Sequence, residues 1–194
     1  MILLIYAHPD PSSFNHAILQ TIRHTLIQAG KSFHVIDLYA EGYNPVMSAD
    51  EIKGFVSPET LRYQQLIKEA NAIVFIFPVW WFRAPALLEG FCDRVFTAGF
   101  AYRFKKIIGI YGLPVPLLRD KKVRTFITHG APALPVKTIY LNAVKYRFLL
   151  GFLSFCFSVF RCRIYQFWAV PFVSQKKRQA YLNKTARVIR QLIS

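Results

Sequence analysis

Residues Ala72–Phe77 read AIVFIF, an apolar run with no polar residue to mark a solvent face. A strand of that kind is buried on both faces, which is the condition of a parallel sheet with helices above and below it. That requirement constrains the rest of the chain, because parallel neighbours need crossover connections and the crossovers are usually helices. Met1–Tyr6 and Phe33–Leu38 read as strands on either side of a helical pattern, Ala17–Ala29, which carries Ile18, Ile22, Leu26 and Ile27 at helical spacing and is stopped by Gly30. Glu59–Ala70 is a helical pattern ahead of the apolar run, and Pro85–Phe96 is one behind it, with Pro85 near the first turn where its missing N–H costs nothing. Val123–Thr128 and Ile164–Val170 are strand-like, Leu141–Phe157 is helical, and Gln175–Ile193 closes the chain as an amphipathic helix. Strand and helix thus alternate about five times with no linker, repeat or low-complexity stretch. The reading is one α/β domain over residues 1–194: a doubly wound five-stranded parallel sheet, order 2-1-3-4-5, with helices on both faces.

Composition narrows the function classes. The chain has 194 residues, enough for a full core, and its 54% hydrophobic against 18% charged residues excludes a disordered protein. Lys and Arg number 25 against 10 Asp and Glu, a net charge of +15 that favours an anionic partner: nucleic acid, an acidic membrane surface or a phosphorylated cofactor. No segment reads as a recognition helix, zinc finger or RNA-binding signature, so nucleic acid drops out. Cys92, Cys156 and Cys162 form neither a CxxC pair nor a metal-ligand spacing, and their usage suits a reducing cytoplasm. Met1–Tyr6 is too short for a signal peptide and lacks a basic leader. The apolar run Phe148–Phe160 falls short of the roughly 20 residues a spanning helix needs and is flanked by Arg147 and Arg161. It reads as a buried helix, with a segment dipping into the membrane interface as the alternative.

In a sheet of this order ligands bind beyond the carboxyl ends of the strands, where the strand order reverses. The loops after the first, third and fourth strands are His8–Asn15, Pro78–Ala84 and His129–Pro135. The first, HPDPSSFN, lacks the glycines of a dinucleotide fingerprint and the lysine of a P-loop. It offers Ser12, Ser13 and Asn15 just before a helix, where hydroxyls and free N–H groups make an anion site, and His8 adds a donor or a charge. Ser13 or Asn15 is equally suited to capping that helix. In the third-strand loop Trp80, Trp81 and Phe82 stand together, able to pack a flat ring, the core or a dimer surface. The fourth loop opens Thr128-His129-Gly130: a hydroxyl for a ring edge, an imidazole that is a contact or a proton donor, and a glycine that allows close approach or positive φ. No nucleophile-elbow serine competes with this set, His16 and His24 stand two helical turns apart and too far to share a metal, and Asp93 with Arg94 reads as a local ion pair on a helix.

The stretches IYAHPDPSSFNHAIL, DLYAEGYNPVMS, AIVFIFPVWWFRAPALLEGFCDRVFTAGFAY and FITHG together resemble the flavodoxin-like NAD(P)H:quinone oxidoreductase family, which includes modulator-of-drug-activity proteins and the ancillary flavoproteins of potassium efflux systems. The third stretch is the specific one; the resemblance is weak over Arg103–Leu118 and Ala131–Arg147. It implies that His8, Ser13, Phe14 and Asn15 hold the flavin phosphates and ribityl chain. It also implies that Pro78, Val79, Trp80, Trp81 and Phe82 lie along the isoalloxazine, with Thr128 and Gly130 at its pyrimidine edge. Tyr102 and His129 would line the substrate pocket, Tyr102 across a dimer interface. The implied activity is two-electron reduction of quinones or related electrophiles by NADPH or NADH, a ping-pong hydride transfer through N5 of FAD, with FMN as the alternative, in a cytoplasmic homodimer. The flavin carries the redox chemistry, so no catalytic side chain is assigned. Relative to the family pattern, His129 stands where the first of two glycines is expected, and the assisting Tyr and His have no counterparts after Gly130. Two other readings stay open at this point: a regulatory flavin-binding subunit docked on a membrane protein or an anionic membrane, and a degenerate member without activity.

Overall fold

A computed structural model describes residues 1–109 and 111–194. Five strands make the main sheet: β1 (Ile2–Tyr6), β2 (Phe33–Asp37), β3 (Ala72–Pro78), β6 (Lys122–Thr128) and β7 (Cys162–Phe167). They lie in the order β2-β1-β3-β6-β7 and every pair is parallel, which is the expected 2-1-3-4-5 sheet. The crossovers are α1 (Phe14–Gln28), α2 (Ala49–Ile52) with α3 (Pro58–Glu69), α4 (Ala86–Val95), and, before β7, α5 (Ala133–Thr138) followed by a broken helical segment; α8 (Gln175–Ile193) follows the last strand.

The core explains why β1 and β3 are apolar at every position. Leu3, Ile5, Ile73, Phe75 and Phe77 point to one side of the sheet, into a cluster with α3 and α4. Ile2, Leu4, Tyr6, Val74 and Ile76 point to the other, against α1 and α8. Successive strand residues alternate faces, so a strand covered on both sides can carry no polar position. Helix starts follow local chemistry: the Ser13, Ser57 and Ser174 side chains each accept an N–H of their own first turn, and Pro58 opens α3.

Two expectations need correction, and one stretch left unassigned in the sequence forms an element. Most of Arg103–Leu118 belongs to an antiparallel hairpin, β4 (Tyr102–Ile108) and β5 (Tyr111–Pro116), separate from the main sheet. Its sequence shows no clean alternation because the hairpin has no buried face to select one. Leu141–Phe157 is not one helix. It is α6 (Ala143–Tyr146), a π-helical turn (Arg147–Leu153) and α7 (Ser154–Cys156), preceded by Leu141 and Asn142 in left-handed conformation. Phe148 and Phe152, four residues apart on one face of the turn, both reach Phe75, at ring distances of 5.4 and 5.9 Å. Finally β7 starts at Cys162 and ends at Phe167, two residues before Ala169, whose φ of 51° turns the chain. The run Phe148–Phe160 supplies core residues, with Phe148, Leu153, Cys156 and Phe157 buried. Among the described residues no helix is long and apolar enough to cross a membrane.

Candidate functional site

The first, third and fourth loops meet at the carboxyl edge of the sheet. Asn15, in the first turn of α1, is buried and donates its side-chain N–H to Thr128 Oγ1 at 2.8 Å. Val79 N–H donates to the Thr128 carbonyl at 2.9 Å. Thr128 therefore ties all three loops together across the switch point. The Asn15 Oδ1 is buried with no partner, an acceptor left free beside that junction.

At the head of α1, Ser13 caps the helix by accepting the His16 N–H at 3.1 Å. Its capping role and an anion-binding role do not compete, because among the described residues the Phe14 and Asn15 N–H groups, in the first turn of α1, have no acceptor. Asp10 also sits in this loop, accepting from the Ser12 N–H and hydroxyl, which hold its carboxyl below the usual range. His8 accepts the Asp10 N–H on Nδ1 at 3.1 Å, and burial pushes its pKa down. A neutral imidazole with Nδ1 as acceptor carries its proton on Nε2; His8 is thus a donor and not a cation at neutral pH. Its ring leans on Trp80, centroids 6.2 Å apart. Phe14 packs beneath the loop against Phe167 and Tyr181.

The third loop is a tight turn. Trp80 and Arg83 exchange both backbone hydrogen bonds, at 3.0 and 3.1 Å, with Trp81 at φ 51° and Phe82 at φ 56° between them. Two positive φ values in a two-residue connection suit Asn-Gly, and bulky aromatics there store of the order of 1–3 kcal/mol each. Strain of that size persists where surrounding structure holds it and clusters at ligand sites. The turn presents Trp81 at 90% exposure, while Phe82 lies 4.4 Å from the Tyr140 ring. Glu89 of α4 secures the loop by accepting the Ala84 N–H and pairing with Arg147. Pro78 is buried at the end of β3.

Gly130 has ordinary φ, and a Cβ there would meet nothing within 4 Å; its value is open space beside Thr128. His129 is turned inward, stacked on Trp168 at 4.0 Å and 25°, with Nε2 3.0 Å from Gln166 Nε2. Gln166 exchanges two hydrogen bonds with Asn142, at 3.0 and 2.8 Å. Burial pushes the His129 pKa down to about 4, so the ring is neutral and accepts from Gln166. Tyr102 lies apart from the three loops, in a cavity of about 700 Å³ lined also by Glu89, Asp93, Phe96, Arg147 and Phe152. Sequence reasoning missed Tyr140, Asn142, Gln166 and Trp168. They come to the site through the turn at Leu141–Asn142 and the end of β7, and no local pattern marks them.

The residues present fit a flavin by three observations: the free first-turn N–H groups of α1, the unpartnered Asn15 Oδ1, and the open space at Gly130 beside the Trp80–Arg83 turn. In a doubly wound sheet the switch point, where this site lies, is the place at which ligands bind. The sequence matches the flavodoxin-like fold family over residues 1–193, and the chain belongs to that family. It is 28% identical to an uncharacterized NAD(P)H oxidoreductase of Haemophilus influenzae, covering 95% of this chain and 92% of that one. It is 31% identical to the human ribosyldihydronicotinamide dehydrogenase [quinone], covering 80% and 76%. Among solved structures, Smu.1420 of Streptococcus mutans UA159 superposes with a TM-score of 0.86 at 30% identity, covering 98% of each chain.

Proposed function

We propose that this chain is a flavin-dependent NAD(P)H oxidoreductase that reduces quinones or related electrophiles by two electrons. The observation that carries the reading is the Asn15–Thr128–Val79 junction, which closes three loops around an anion-ready helix start and a strained aromatic turn. The oxidoreductase names of relatives that align over most of the chain support it.

Within the single domain, the Phe14 and Asn15 N–H groups bind a flavin phosphate, with His8 Nε2–H as a further donor. Ser13 fixes the direction of those N–H groups by capping the helix. Trp80, Trp81, Phe82, Pro78 and Val79 shield one face of the ring from water, and Thr128 with the Gly130 backbone reads its pyrimidine edge. When bound, the flavin supplies hydride transfer between NADPH or NADH and the acceptor; the chain orients the reactants and excludes water. FAD is preferred to FMN on chain length and the Ser12–Asn15 loop. The protein acts as a cytoplasmic homodimer, a reading supported by exposed Trp81, Ile139 and Leu141 around the Phe82–Tyr140 contact. Tyr102 and His129 serve the substrate side, His129 through Gln166 and Asn142.

The test is the absorption spectrum of purified protein incubated with FAD or FMN and desalted. Flavin bands bleached by NADPH or NADH and restored by menadione are expected, with parallel double-reciprocal plots for the two substrates. A colourless protein with both flavins would overturn the reading.

A further inference from the structure

β7 is the outer strand of the main sheet, with β6 on one side and, among the described residues, no strand on the other. The Phe167 carbonyl faces β6, where it accepts the His129 N–H at 2.8 Å. Backbone groups alternate sides along a strand, so those of Tyr165 and Arg163 also face β6, and those of Ile164 and Gln166 face outward as an unpaired edge. Beside this edge lies a groove of about 440 Å³, lined by Tyr165 of β7 and by Asn183, Lys184, Arg187 and Gln191 of α8. Lys184 Nζ stands 5.7 Å from the Tyr165 ring centroid. Two residues before Tyr165 on the same face, Arg163 is in register with Arg124 of β6. Like charges directly opposite each other destabilise a sheet. Nothing in the chain compensates this pair: Arg124 donates to the Val123 and Arg161 carbonyls, and Arg163 to those of Phe160 and Cys162. Among the described residues Arg124, Arg163, Lys184 and Arg187 form no ion pair. After Asp120 the chain carries 14 Lys and Arg residues and no Asp or Glu.

We infer that β7 takes up an extended acidic segment of a partner protein as a sixth strand of the sheet. The segment's backbone pairs with the outward groups of Ile164 and Gln166, and its alternate carboxylates point into the groove towards Arg163, Lys184 and Arg187. The residues between them lie on the opposite face, beside half-buried Ile164. The α8 wall from Ala180 to Gln191 is ~16 Å long at ~1.5 Å per residue. That is room for about five extended residues. Charge complementarity selects this occupant. Pairing of β7 with the β7 of a second copy would set Arg163, Lys184 and Arg187 against their own equivalents, the arrangement that keeps sheet edges apart. A bilayer would meet only the charges, because the apolar face of α8 is buried in the core through Val188, Ile189 and Leu192. The inference is independent of the flavin.

The experiment is fluorescence anisotropy of the intact protein with a fluorescein-labelled, end-blocked peptide of alternating Glu and Val. A second peptide carries the same charges but is N-methylated at one central Glu and the adjacent Val, so that it lacks ladder donors in either strand direction. Wild type is expected to bind the first peptide at low salt and the second about tenfold or more weakly. R163E and K184E/R187E are each expected to weaken binding of the first peptide about tenfold or more, with thermal unfolding and flavin binding unchanged. Hydrogen exchange at the Ile164 and Gln166 amides should slow when the first peptide binds. Wild type that ignores the peptide at low salt overturns the inference, as do variants that bind it like wild type. Equal binding of the N-methylated peptide overturns strand addition. If oligothymidylate binds more tightly than the peptide and K184E/R187E abolishes that binding, the surface is a nucleic-acid patch and the inference fails.

Discussion

Trp81 is the residue where conformation and exposure conflict most openly. A tryptophan at φ 51° with almost its whole surface in water gains nothing from the core, yet the turn it occupies is tied down at Trp80, Arg83 and Ala84. Trp81→Gly removes the strain and loses little burial; we expect stability to rise by about 1 kcal/mol in thermal unfolding. Flavin affinity, read by fluorescence titration, should fall about tenfold as the ring loses an aromatic cover. Unchanged affinity would take Trp81 out of the site. His129 makes a second residue-scale prediction. Its pKa of about 4 in the fold lies below its ordinary 6.5, so between these values the unfolded chain binds more protons. Stability from this group is full above pH 6.5 and is lost as pH falls through 4, by roughly 3 kcal/mol in all. His129→Phe keeps the stack on Trp168 and removes the proton site, so its denaturation midpoint should vary less over that pH window than that of wild type.

At the scale of elements, the start of α1 serves two ends at once. Ser13 satisfies one first-turn N–H and leaves those of Phe14 and Asn15 free, which stabilises the helix and aims donors at the switch point. Ser13→Ala should cost about 1 kcal/mol. For a chain of this size that is a drop of about 3 °C in Tm. It should weaken flavin binding while leaving the spectrum of bound flavin unchanged, since the ring is held elsewhere. The α2–α4 contact is an element-scale staple of a different kind: Arg94, buried on α4, pairs with Glu51 of α2 at 2.8 Å and donates to the Asn44 carbonyl. Arg94→Ala strands the partly buried Glu51 carboxylate and should destabilise by about 3–5 kcal/mol in urea unfolding, without altering flavin spectra.

Over the whole molecule, charge is the property with kinetic consequences. A net +15 attracts the anionic dinucleotide donor at long range and leaves a neutral quinone indifferent. Raising ionic strength shortens the screening length from about 30 Å at 0.01 M to about 3 Å at 1 M. In steady-state assays kcat/KM for NADPH should therefore fall several-fold across that range, while kcat/KM for menadione stays level. Equal loss for both would mean that salt acts on the fold or the flavin and not on encounter.

Wherever a pattern is local, the sequence alone determined it. The two-sided apolar strands and the strand-helix alternation dictated a covered, doubly wound parallel sheet, and its order 2-1-3-4-5 is the one the family resemblance implied. The serines and prolines at helix starts marked their boundaries, and the three loops at the switch point were identifiable because topology assigns them that place. Tertiary structure decided what depends on partners far along the chain. Asn15 finds Thr128 across 113 residues, and Gln166 finds Asn142 across 24. The turn Arg147–Leu153 packs Phe148 and Phe152 against Phe75, a partner far along the chain that no helix propensity encodes. The hairpin Tyr102–Pro116 stayed hidden for the opposite reason: with no buried face in this chain, its residues carry no alternation for a sequence reading to detect.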